Sequence, residues 1–361
     1  MKVAVIHHRL SSLGGGERVC LGIVEALNIR GIIPDLFIAD NAQQKMIENG
    51  YGKKLKVVLK VMPLPKMKFF GAYRTVLYKL KIKVKEYDWV IDTSGIYIAP
   101  FNASKKYAFY VHNPIMFLRN SPKYQGGFWK IYFRLYDHLL RKSVSKTSDI
   151  QLIANSKFTQ KRITNYWRRE SIVIYPPVAI NDFFRCGNKK SRDGVISIGR
   201  FTPEKNHLDQ LKIAKQLPNL KFRICGAVDT PQSKVLFAQI KEKAKELDNV
   251  ELHQNATFSE IVEMINHSKY FLHTMKDEDF GITICEAIAG GCLPVVHDSG
   301  GPMEIVPTKS LRFESVQEAT SIIRNWEKNA NWEDIQEYLF NHIKEYEEQE
   351  FQRNLLKIIG F

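Results

Sequence analysis

The sequence of 361 residues has few cysteines and no long apolar segment, and each absence restricts what the chain can be. Its five cysteines are odd in number and scattered, and none forms a C-x-x-C pair, so we expect a reducing compartment without a disulfide framework or a cysteine zinc site. No apolar run approaches the roughly 18 residues that cross a bilayer. The first residues already resemble a β-strand, so no N-terminal signal segment is expected. We therefore predict a cytoplasmic location, with any membrane association peripheral.

The charge is distributed unevenly along the chain. Before Ser191 there are 33 Lys and Arg against 12 Asp and Glu, whereas the remainder has 20 against 26. A basic half of this kind suits a nucleic acid, an anionic membrane surface, a pyrophosphate-bearing lipid, or solubility alone. Within it, Lys79, Lys81, Lys83 and Lys85 alternate with apolar residues, a period that predicts an extended strand.

The order of strand and helix patterns predicts an α/β protein. Lys2 to His8 is an apolar, β-branched run, followed by three glycines (Gly14 to Gly16) and a helical pattern from Val19 to Ile29. This strand, glycine loop and helix are typical of the first unit of a doubly wound parallel sheet. Further strand patterns lie at Pro34–Ala39, Lys56–Val61, Trp89–Asp92, Tyr107–His112 and Asp149–Asn155.

A second series of strand patterns begins after Gly194. Because strands and helices alternate again, we predict two Rossmann-like domains with parallel sheets. A turn-rich segment that contains Pro176 and Pro177 separates the two series. The predicted domains are residues 1–188, residues 189–330 and a helical segment, 331–361. The strand patterns of the second series are Val195–Gly199, Lys221–Cys225, Val250–His253, Tyr270–Thr274 and Leu293–His297.

Two cations follow the first strand of the second series. Arg200 and Lys205 lie in the segment GRFTPEKNH, at a strand end, where open α/β sheets bind ligands. Arginine offers a planar fork and lysine a point charge, and both suit a diphosphate. The alternative is that these are two solvated loop charges.

Two carboxylates form the next candidate site. Glu278 lies in an acidic loop, and Glu286 lies in an apolar helical run, where an ionised carboxylate is costly without a partner. A polyhydroxylated ligand would be such a partner, and the helix N-terminus at Gly281 suits a phosphate. Together they suggest a nucleotide-sugar site. The alternatives are an acid and base pair for glycoside hydrolysis, or a surface Glu278 with a structurally paired Glu286.

The remaining candidates are less specific. His112 follows a strand, where it suits a sugar hydroxyl or a phosphate, although a structural role is equally compatible with its position. Gly15 and Gly16 lie in a loop whose spacing differs from G-x-G-x-x-G, a weak signal. No D-x-D pattern is placed to chelate a metal between phosphates, so we expect neither a metal nor a cofactor.

These motifs resemble glycosyltransferase family 4, whose members are retaining enzymes of the GT-B fold, with two Rossmann-like domains facing across a cleft. The spacing from Glu278 to Glu286 and the pair of Arg200 and Lys205 carry the resemblance. Within the family, the chain is most similar to the α-1,2-mannosyltransferases that extend dolichol-linked oligosaccharides from GDP-mannose. The segments that carry this similarity are GGGERV, YPP, SIGRFTPEKNH, LHTMKDEDFGI and HDSGGP.

The resemblance implies a role for each candidate residue. Arg200 and Lys205 would bind the donor diphosphate, and Glu286 the ribose. The transferred sugar would contact Glu278 and the backbone at the start of the helix. His112 would lie near the sugar, Gly15 and Gly16 near the phosphates and the acceptor, and the C-terminal helix would return to the first domain. The backbone groups at the helix start belong to Phe280, Gly281 and Ile282.

The sequence thus predicts a retaining hexosyltransferase. Its donor would be a GDP- or UDP-linked sugar, with GDP-mannose preferred, and its acceptor would be a glycan, either alone or linked to a polyprenyl lipid. No nucleic acid partner is expected, and contact with an anionic membrane would be peripheral, through the basic first domain. Two alternatives stay open: a nucleotide-sugar epimerase of the same fold, and a non-catalytic protein that binds carbohydrate or nucleic acid.

Overall fold

The computed structural model describes residues 1–10, 14–62, 77–95, 97–98, 106–114, 150–183, 192–328 and 332–360, and the single residues 127, 131, 134 and 138. The chain divides into two compact units. The first unit comprises Met1–Pro177 with Glu348–Phe361, and the second unit comprises Val178–Glu347. The predicted bounds after residues 188 and 330 differ from this division. The chain already enters the second unit at Val178, whose backbone N–H bonds the carbonyl of Tyr346.

Each unit contains a parallel sheet. The sheet of the first unit has the order β3-β2-β1-β4-β5-β6-β7, and that of the second has the order β10-β9-β8-β11-β12-β13. The predicted α/β class with two doubly wound sheets is confirmed. The strands are β1 Val3–Ile6, β2 Asp35–Ile38, β3 Val58–Val61, β4 Trp89–Asp92, β5 Tyr107–Val111, β6 Ile150–Ala154, β7 Ile172–Val173, β8 Val195–Ile198, β9 Phe222–Gly226, β10 Val250–Gln254, β11 Tyr270–His273, β12 Leu293–His297 and β13 Arg312–Phe313.

Helices lie between most successive strands of each sheet, because two parallel strands need a crossover connection. Short 3₁₀ turns at Val84–Glu86, Pro203–Lys205, Lys309–Leu311 and Lys344–Tyr346 join some of these elements. The helices are α1 Gly15–Ile29, α2 Gln44–Tyr51, α3 Lys157–Trp167, α4 Ile180–Phe183, α5 His207–Gln216, α6 Pro231–Ala244, α7 Phe258–His267, α8 Ile282–Ala289, α9 Pro302–Ile305, α10 Val316–Glu327, α11 Trp332–Ile343 and α12 Glu348–Ile359.

The C-terminal helices belong to different units. Helix α12 packs on α1 in the first unit, and α11 packs on α8 in the second. The contact with α1 is close at Gly22, where an added Cβ would lie 2.9 Å from Pro177 and 3.2 Å from Phe351. The segment predicted as residues 331–361 is therefore split, and only its last part packs on the first unit.

The central strands of the first sheet are buried on both faces, which explains their continuous apolar sequences. Every residue of β1 and of β5 is buried. Side chains from β1, α1 and α12 form one apolar cluster, and side chains from β4, β5 and β6 contribute to another. The carboxyl ends of these strands thus form a rigid edge on which polar side chains can be held.

The predicted strand of alternating lysines is wrong, because one of these lysines is drawn into the core. Residues 77–80 are helical, and Lys79 is only 1% exposed. Its Nζ lies 2.6 Å from Oδ2 of the fully buried Asp92, which also accepts a hydrogen bond from the Tyr107 hydroxyl at 2.6 Å. Burial lowers the pKa of Lys79, and Asp92 opposes that change. The ion pair is a structural contact inside the first unit.

We predict that Lys79→Met destabilises the first unit by about 3–5 kcal/mol, because it leaves the Asp92 carboxylate buried without its cation. Hydrogen exchange of β1, β4 and β5 in increasing denaturant measures this loss, since core strands exchange through global opening of their unit. Lys83→Met is the matched control, because that lysine side chain is 83% exposed and should change stability by about 0.5 kcal/mol or less. Equal effects of the two substitutions would show that the pair does not stabilise the fold.

Candidate active site

Two loops of the second unit meet because their strands are neighbours in the sheet. Strands β8 and β11 pair in parallel, so the segments that follow them leave the same edge. Hydrogen bonds join the two segments directly. The Thr274 hydroxyl donates to the carbonyl oxygen of Lys205 at 2.7 Å, and the Asn206 side-chain amide donates to the carbonyl oxygen of Thr274 at 3.1 Å. Lys205 is therefore held in a fixed position beside the acidic loop.

Lys205 and Glu278, both predicted site residues, form an ion pair. The Lys205 Nζ lies 2.5 Å from Oε2 of Glu278, and the two side chains are 22% and 17% exposed. Burial raises the pKa of the Glu278 carboxyl, but Lys205 and His273 outweigh it and hold that pKa well below its usual range. Glu278 is therefore ionised at neutral pH. An ammonium group has three donors, so Lys205 keeps N–H groups for a second anion.

Arg200 supplies a second cation at the same edge. It is exposed, and its guanidinium forms no ion pair with any residue that the structure describes. Its carbonyl oxygen lies 3.1 Å from Nε2 of His207. The backbone at Arg200 is thus anchored while the side chain is available to an anionic ligand.

A network of buried hydrogen bonds supports the loop that carries Arg200 and Lys205. Nδ1 of His207 lies 3.0 Å from Oε1 of Gln210, and the Gln210 amide donates to the Thr274 hydroxyl at 2.9 Å. Burial lowers the pKa of His207, which is therefore neutral at pH 7. Sequence reasoning missed this network, although both side chains lie on the helix that directly follows Lys205.

Helix α8 presents its N-terminus to the acidic loop. It begins after Gly281, whose φ of +107° is left-handed and whose added Cβ would lie 2.6 Å from the Ile284 side chain. The first backbone N–H groups of a helix have no intrahelical partner and carry the positive end of its dipole. Phe280 is buried against Tyr346, with ring centroids 5.2 Å apart, and this contact fixes the direction in which the helix starts.

Glu286 lies on α8 and is 4% exposed, between buried apolar neighbours. Its burial agrees with the sequence analysis, which placed it within an apolar helical run. Its assignment to the ribose stays a prediction, as do the sugar contacts assigned to the backbone of Phe280, Gly281 and Ile282.

A glycine turn after β12 supports the acidic loop. The Gly301 N–H donates to the Glu278 carbonyl oxygen at 2.8 Å, and the Asp277 N–H donates to the Ser299 hydroxyl at 2.8 Å. Gly300 has φ of +75°, and its added Cβ would lie 2.4 Å from the Glu278 carbonyl oxygen. Only glycine allows this approach. The Gly-Gly pair shortly after a strand could have indicated this turn. The sequence analysis used the segment HDSGGP only as part of the family resemblance.

His112, Gly15 and Gly16 come together at the carboxyl edge of the sheet in the first unit. His112 follows β5, and its Nε2 lies 3.3 Å from the Thr93 carbonyl oxygen. A Cβ added to Gly16, at the start of α1, would lie 3.6 Å from the His112 ring. Nδ1 of His7, the residue that follows β1, lies 2.7 Å from the Thr93 hydroxyl oxygen. The predicted site residues thus form two groups, one in each unit.

Both histidines of this first-unit group are neutral. Burial lowers the pKa of His7 to about 3 and that of His112 to about 4. A neutral imidazole carries one donor and one acceptor nitrogen, which suits a hydroxyl group better than an anion. This protonation state is compatible with the predicted contact between His112 and a sugar.

The described part of the chain contains no group of three or more His, Cys, Asp or Glu that could hold a metal ion. Independence from metals and cofactors stays a prediction. Within those same residues, no helix is both long and apolar enough to cross a bilayer.

We predict that the first unit loses stability as pH falls below about 6.5, because the unfolded chain then protonates His7 and His112 while the folded chain does not. The sign follows from linkage: stability rises with pH wherever the unfolded state binds more protons. The expected slope is up to about 1.4 kcal/mol per pH unit for each histidine. It should end near pH 4 for His112 and near pH 3 for His7. Hydrogen exchange of β5 in denaturant, between neutral and acidic pH, measures the slope.

His112→Gln should reduce this slope because it removes one of the two groups. His267→Gln, at an exposed position of the second unit, is the control and should leave the slope unchanged. A slope in His112→Gln as steep as in the wild type would contradict the prediction.

We predict that Gly300→Ala displaces the acidic loop, whereas Gly31→Ala does not. Both glycines are left-handed, with φ of +75° and +72°, so both alanines carry a backbone strain of about 1–2 kcal/mol. A Cβ at Gly31 meets no atom within 4 Å, in contrast to the close contact of Gly300 with Glu278. Hydrogen exchange of residues 275–281 should rise only in Gly300→Ala. Similar exchange in the two variants would show that the glycine turn does not hold the loop.

Comparison with known proteins finds sequence similarity in the second half of the chain. Residues 180–357 match the family model of glycosyl transferases group 1. A Xenopus laevis protein named GDP-Man:Man(3)GlcNAc(2)-PP-Dol alpha-1,2-mannosyltransferase is 31% identical over 188 residues, which are 48% of this chain and 38% of that protein. The human protein of the same name is 29% identical over 190 residues, with the same two shares. The chain therefore matches well under two thirds of the length of these relatives.

Solved structures share the fold along nearly the whole chain. The Anabaena protein HepE, solved with UDP and glucose, superposes with a TM-score of 0.76 at 16% identity and covers 99% of both chains. WaaG, a glycosyltransferase of lipopolysaccharide biosynthesis, superposes with a TM-score of 0.75 at 14% identity, over 99% of this chain and 100% of that one. These similarities confirm the predicted GT-B fold. The similarity to the glycosyl transferases group 1 family is shown for residues 180–357, just under half of the chain.

Proposed function

We propose that this protein is a retaining hexosyltransferase that transfers mannose from GDP-mannose to a glycan acceptor carried on a polyprenyl lipid. The observation that carries the proposal is the arrangement of Lys205, Glu278 and Arg200 at one sheet edge, beside the N-terminus of α8. It combines two cations for a diphosphate with one ionised carboxylate for sugar hydroxyls. The retention of configuration follows from the resemblance to family 4.

The diphosphate would be bound by positive groups of different kinds. Arg200 is exposed and forms no ion pair with the described residues, so its planar fork is available to a phosphate. Lys205 adds a point charge, and the first N–H groups of α8 add the helix dipole. These groups stabilise the negative charge that develops on the nucleotide as it leaves. The proposal therefore requires neither a metal ion nor a covalent nucleophile.

The transferred sugar would be held by Glu278. Its carboxylate is ionised, and among the described residues only Oε2 accepts a hydrogen bond, from the Lys205 ammonium. Oε1 is thus available to accept hydrogen bonds from sugar hydroxyls. In this proposal Glu286 binds the ribose, and the backbone of Phe280, Gly281 and Ile282 completes the contacts to the sugar and the phosphates.

The relatives support mannose and guanine as the donor groups. The Xenopus and human relatives carry GDP-mannose and a dolichol-linked glycan in their names. HepE, whose fold is shared, was solved with UDP and glucose. The closer sequence similarity to the mannosyltransferases favours GDP-mannose, with a UDP-sugar as the alternative outcome.

The basic half of the chain supports a lipid-linked acceptor. Before Ser191 the excess of 21 positive charges over negative ones suits an anionic headgroup or a pyrophosphate. In this proposal His112, Gly15 and Gly16 contact the acceptor side of the reaction. The protein would act peripherally at the cytoplasmic face of a membrane. Binding to vesicles that contain anionic lipid, decreasing with added salt, is the expected outcome of a sedimentation assay.

Thermal unfolding against a panel of nucleotides tests the donor. The panel contains GDP-mannose, UDP-glucose, UDP-N-acetylglucosamine, GDP and UDP, each with and without EDTA. A ligand that binds only the folded state raises its stability, so we expect a shift with GDP-mannose and GDP that EDTA leaves unchanged. A shift with UDP compounds alone would reassign the donor, and loss of the shift in EDTA would contradict independence from metals. No shift with any nucleotide would contradict the proposal.

We predict that Lys205→Ala lowers the transfer rate by about 10²-fold or more, because it removes charge stabilisation from the leaving diphosphate. The assay follows mannose transfer from labelled GDP-mannose to a polyprenyl-linked glycan. Lys212→Ala is the matched control, since that side chain is 65% exposed and pairs only with Asp209 in the described structure. Lys205→Ala activity within a few-fold of wild type would remove Lys205 from the diphosphate site. Turnover of the donor without any acceptor, giving an epimerised sugar nucleotide, would indicate an epimerase instead.

A further inference from the structure

A buried histidine with unused hydrogen-bonding capacity lies next to Glu278. His273 is the last residue of β11 and is 3% exposed. Neither of its ring nitrogens has a hydrogen-bond partner among the residues that the structure describes. A buried polar group without a partner costs about 1–3 kcal/mol, so such groups in folded proteins require an explanation.

The geometry identifies the group that His273 can engage. Its Nε2 lies 3.4 Å from Oε2 of Glu278, which is longer than an ordinary hydrogen bond. The same oxygen lies 2.5 Å from the Lys205 ammonium. Both donors thus face one acceptor atom, and in this structure Lys205 occupies it.

The side chain of His273 is too deeply buried to act on a sugar nucleotide itself. It lines a small pocket at the loop that follows β8, together with Lys205, His207, Gln210 and Thr274. Any effect on a bound ligand must therefore pass through a neighbour, and Glu278 is the neighbour that its Nε2 faces.

We propose that His273 is a positioning residue that replaces Lys205 as the hydrogen-bond donor to Glu278 when a diphosphate draws the Lys205 ammonium away. This inference rests on the proposed function, because it assumes a diphosphate ligand at Lys205. In the exchange, Nε2–H of His273 closes on Oε2 of Glu278. The carboxylate then keeps a partner and its orientation, and Oε1 continues to face the sugar.

The electrostatic surroundings of His273 favour a neutral ring in this role. Burial lowers its pKa, Glu278 opposes that change, and the cation of Lys205 and the neighbouring His297 lower the pKa further. A neutral imidazole with its proton on Nε2 donates one hydrogen bond without adding charge. It therefore supports the Glu278 carboxylate without competing with Arg200 and Lys205 for the diphosphate.

A purely structural role for His273 makes a different prediction. If the ring only fills space at the end of β11, then Phe, which has a similar shape and no nitrogen, should replace it without loss. If the Nε2 donor matters, Gln should restore function, because its side-chain amide nitrogen can take a similar position. The comparison of His273→Phe with His273→Gln therefore separates the two roles.

The first test follows the His273 ring itself by NMR of protein with ¹⁵N-labelled histidine, with the signal assigned from its loss in His273→Gln. We expect the Nε2–H proton to move downfield when GDP or UDP binds the wild type. In Lys205→Ala the same shift should be present without any nucleotide, because the competing ammonium is gone. An Nε2–H signal in Lys205→Ala that matches the free wild type would overturn the exchange of partners.

The second test separates binding from turnover. His273→Phe should bind GDP up to about tenfold more weakly than wild type, because the Glu278 carboxylate is left without a donor when Lys205 turns to the diphosphate. It should also lose about tenfold or more in kcat, because Glu278 is misoriented. His273→Gln should recover most of that loss. Equal kcat in the two variants, or a wild-type kcat in His273→Phe, would show that the Nε2 donor has no role.

The two tests also separate this inference from the proposed function. If no nucleotide binds the wild type while the Nε2–H signal still shifts in Lys205→Ala, the proposed function fails and the exchange of partners stands. If nucleotides bind and support transfer but the signal does not shift in Lys205→Ala, the function stands and the exchange is wrong. Unfolding temperatures of the two His273 variants, expected to agree closely, exclude a difference in folding.

Discussion

The ion pair between Lys205 and Glu278 is the contact on which the candidate site depends. A partly buried carboxylate needs a cation, and a partly buried ammonium needs an anion, because each alone is poorly solvated. Here the two requirements meet across the loops that follow β8 and β11. The pair therefore fixes the position of both loops, keeps Glu278 ionised, and leaves the remaining N–H groups of Lys205 directed at whatever anion enters.

Solvent access separates this pair from the ion pair between Lys79 and Asp92 in the first unit. Lys79 and Asp92 also lie at hydrogen-bond distance, but their side chains are 1% and 0% exposed, so no ligand can reach them. Lys205 and Glu278 are 22% and 17% exposed, enough for a ligand to compete for either partner. The same chemistry thus stabilises the fold in one unit and prepares a binding site in the other.

The sequence analysis selected candidate residues by their chemical type and missed features that depend on geometry. Arg200, Lys205 and Glu278 were selected because each follows a recognisable strand, and parallel strands bring such ends together. Glu286 was selected because a carboxylate in an apolar helical run needs a partner. Their individual roles are still predictions. The glycine turn and His273 were missed because their importance depends on a left-handed φ, and on a 3.4 Å approach that no local pattern encodes. The strand predicted around Lys79 was wrong for the same reason, because no local pattern indicates that Lys79 pairs with Asp92 at the end of β4.

The ion pair also affects which ligands the site can favour. A bare diphosphate that takes Lys205 weakens the contact of that ammonium with Glu278, so part of its binding energy is spent on the unpaired carboxylate. A sugar nucleotide would bring hydroxyl groups to Glu278 at the same time as phosphates to Lys205 and Arg200. The sugar hydroxyls would then replace the hydrogen bond that Glu278 loses from Lys205. Under the proposed function, the site would therefore prefer the intact donor over the nucleotide product, and this preference would promote product release after transfer. The exchange of partners proposed for His273 would lower the cost at Glu278 with either ligand, because it gives the carboxylate a hydrogen bond whenever the Lys205 ammonium leaves.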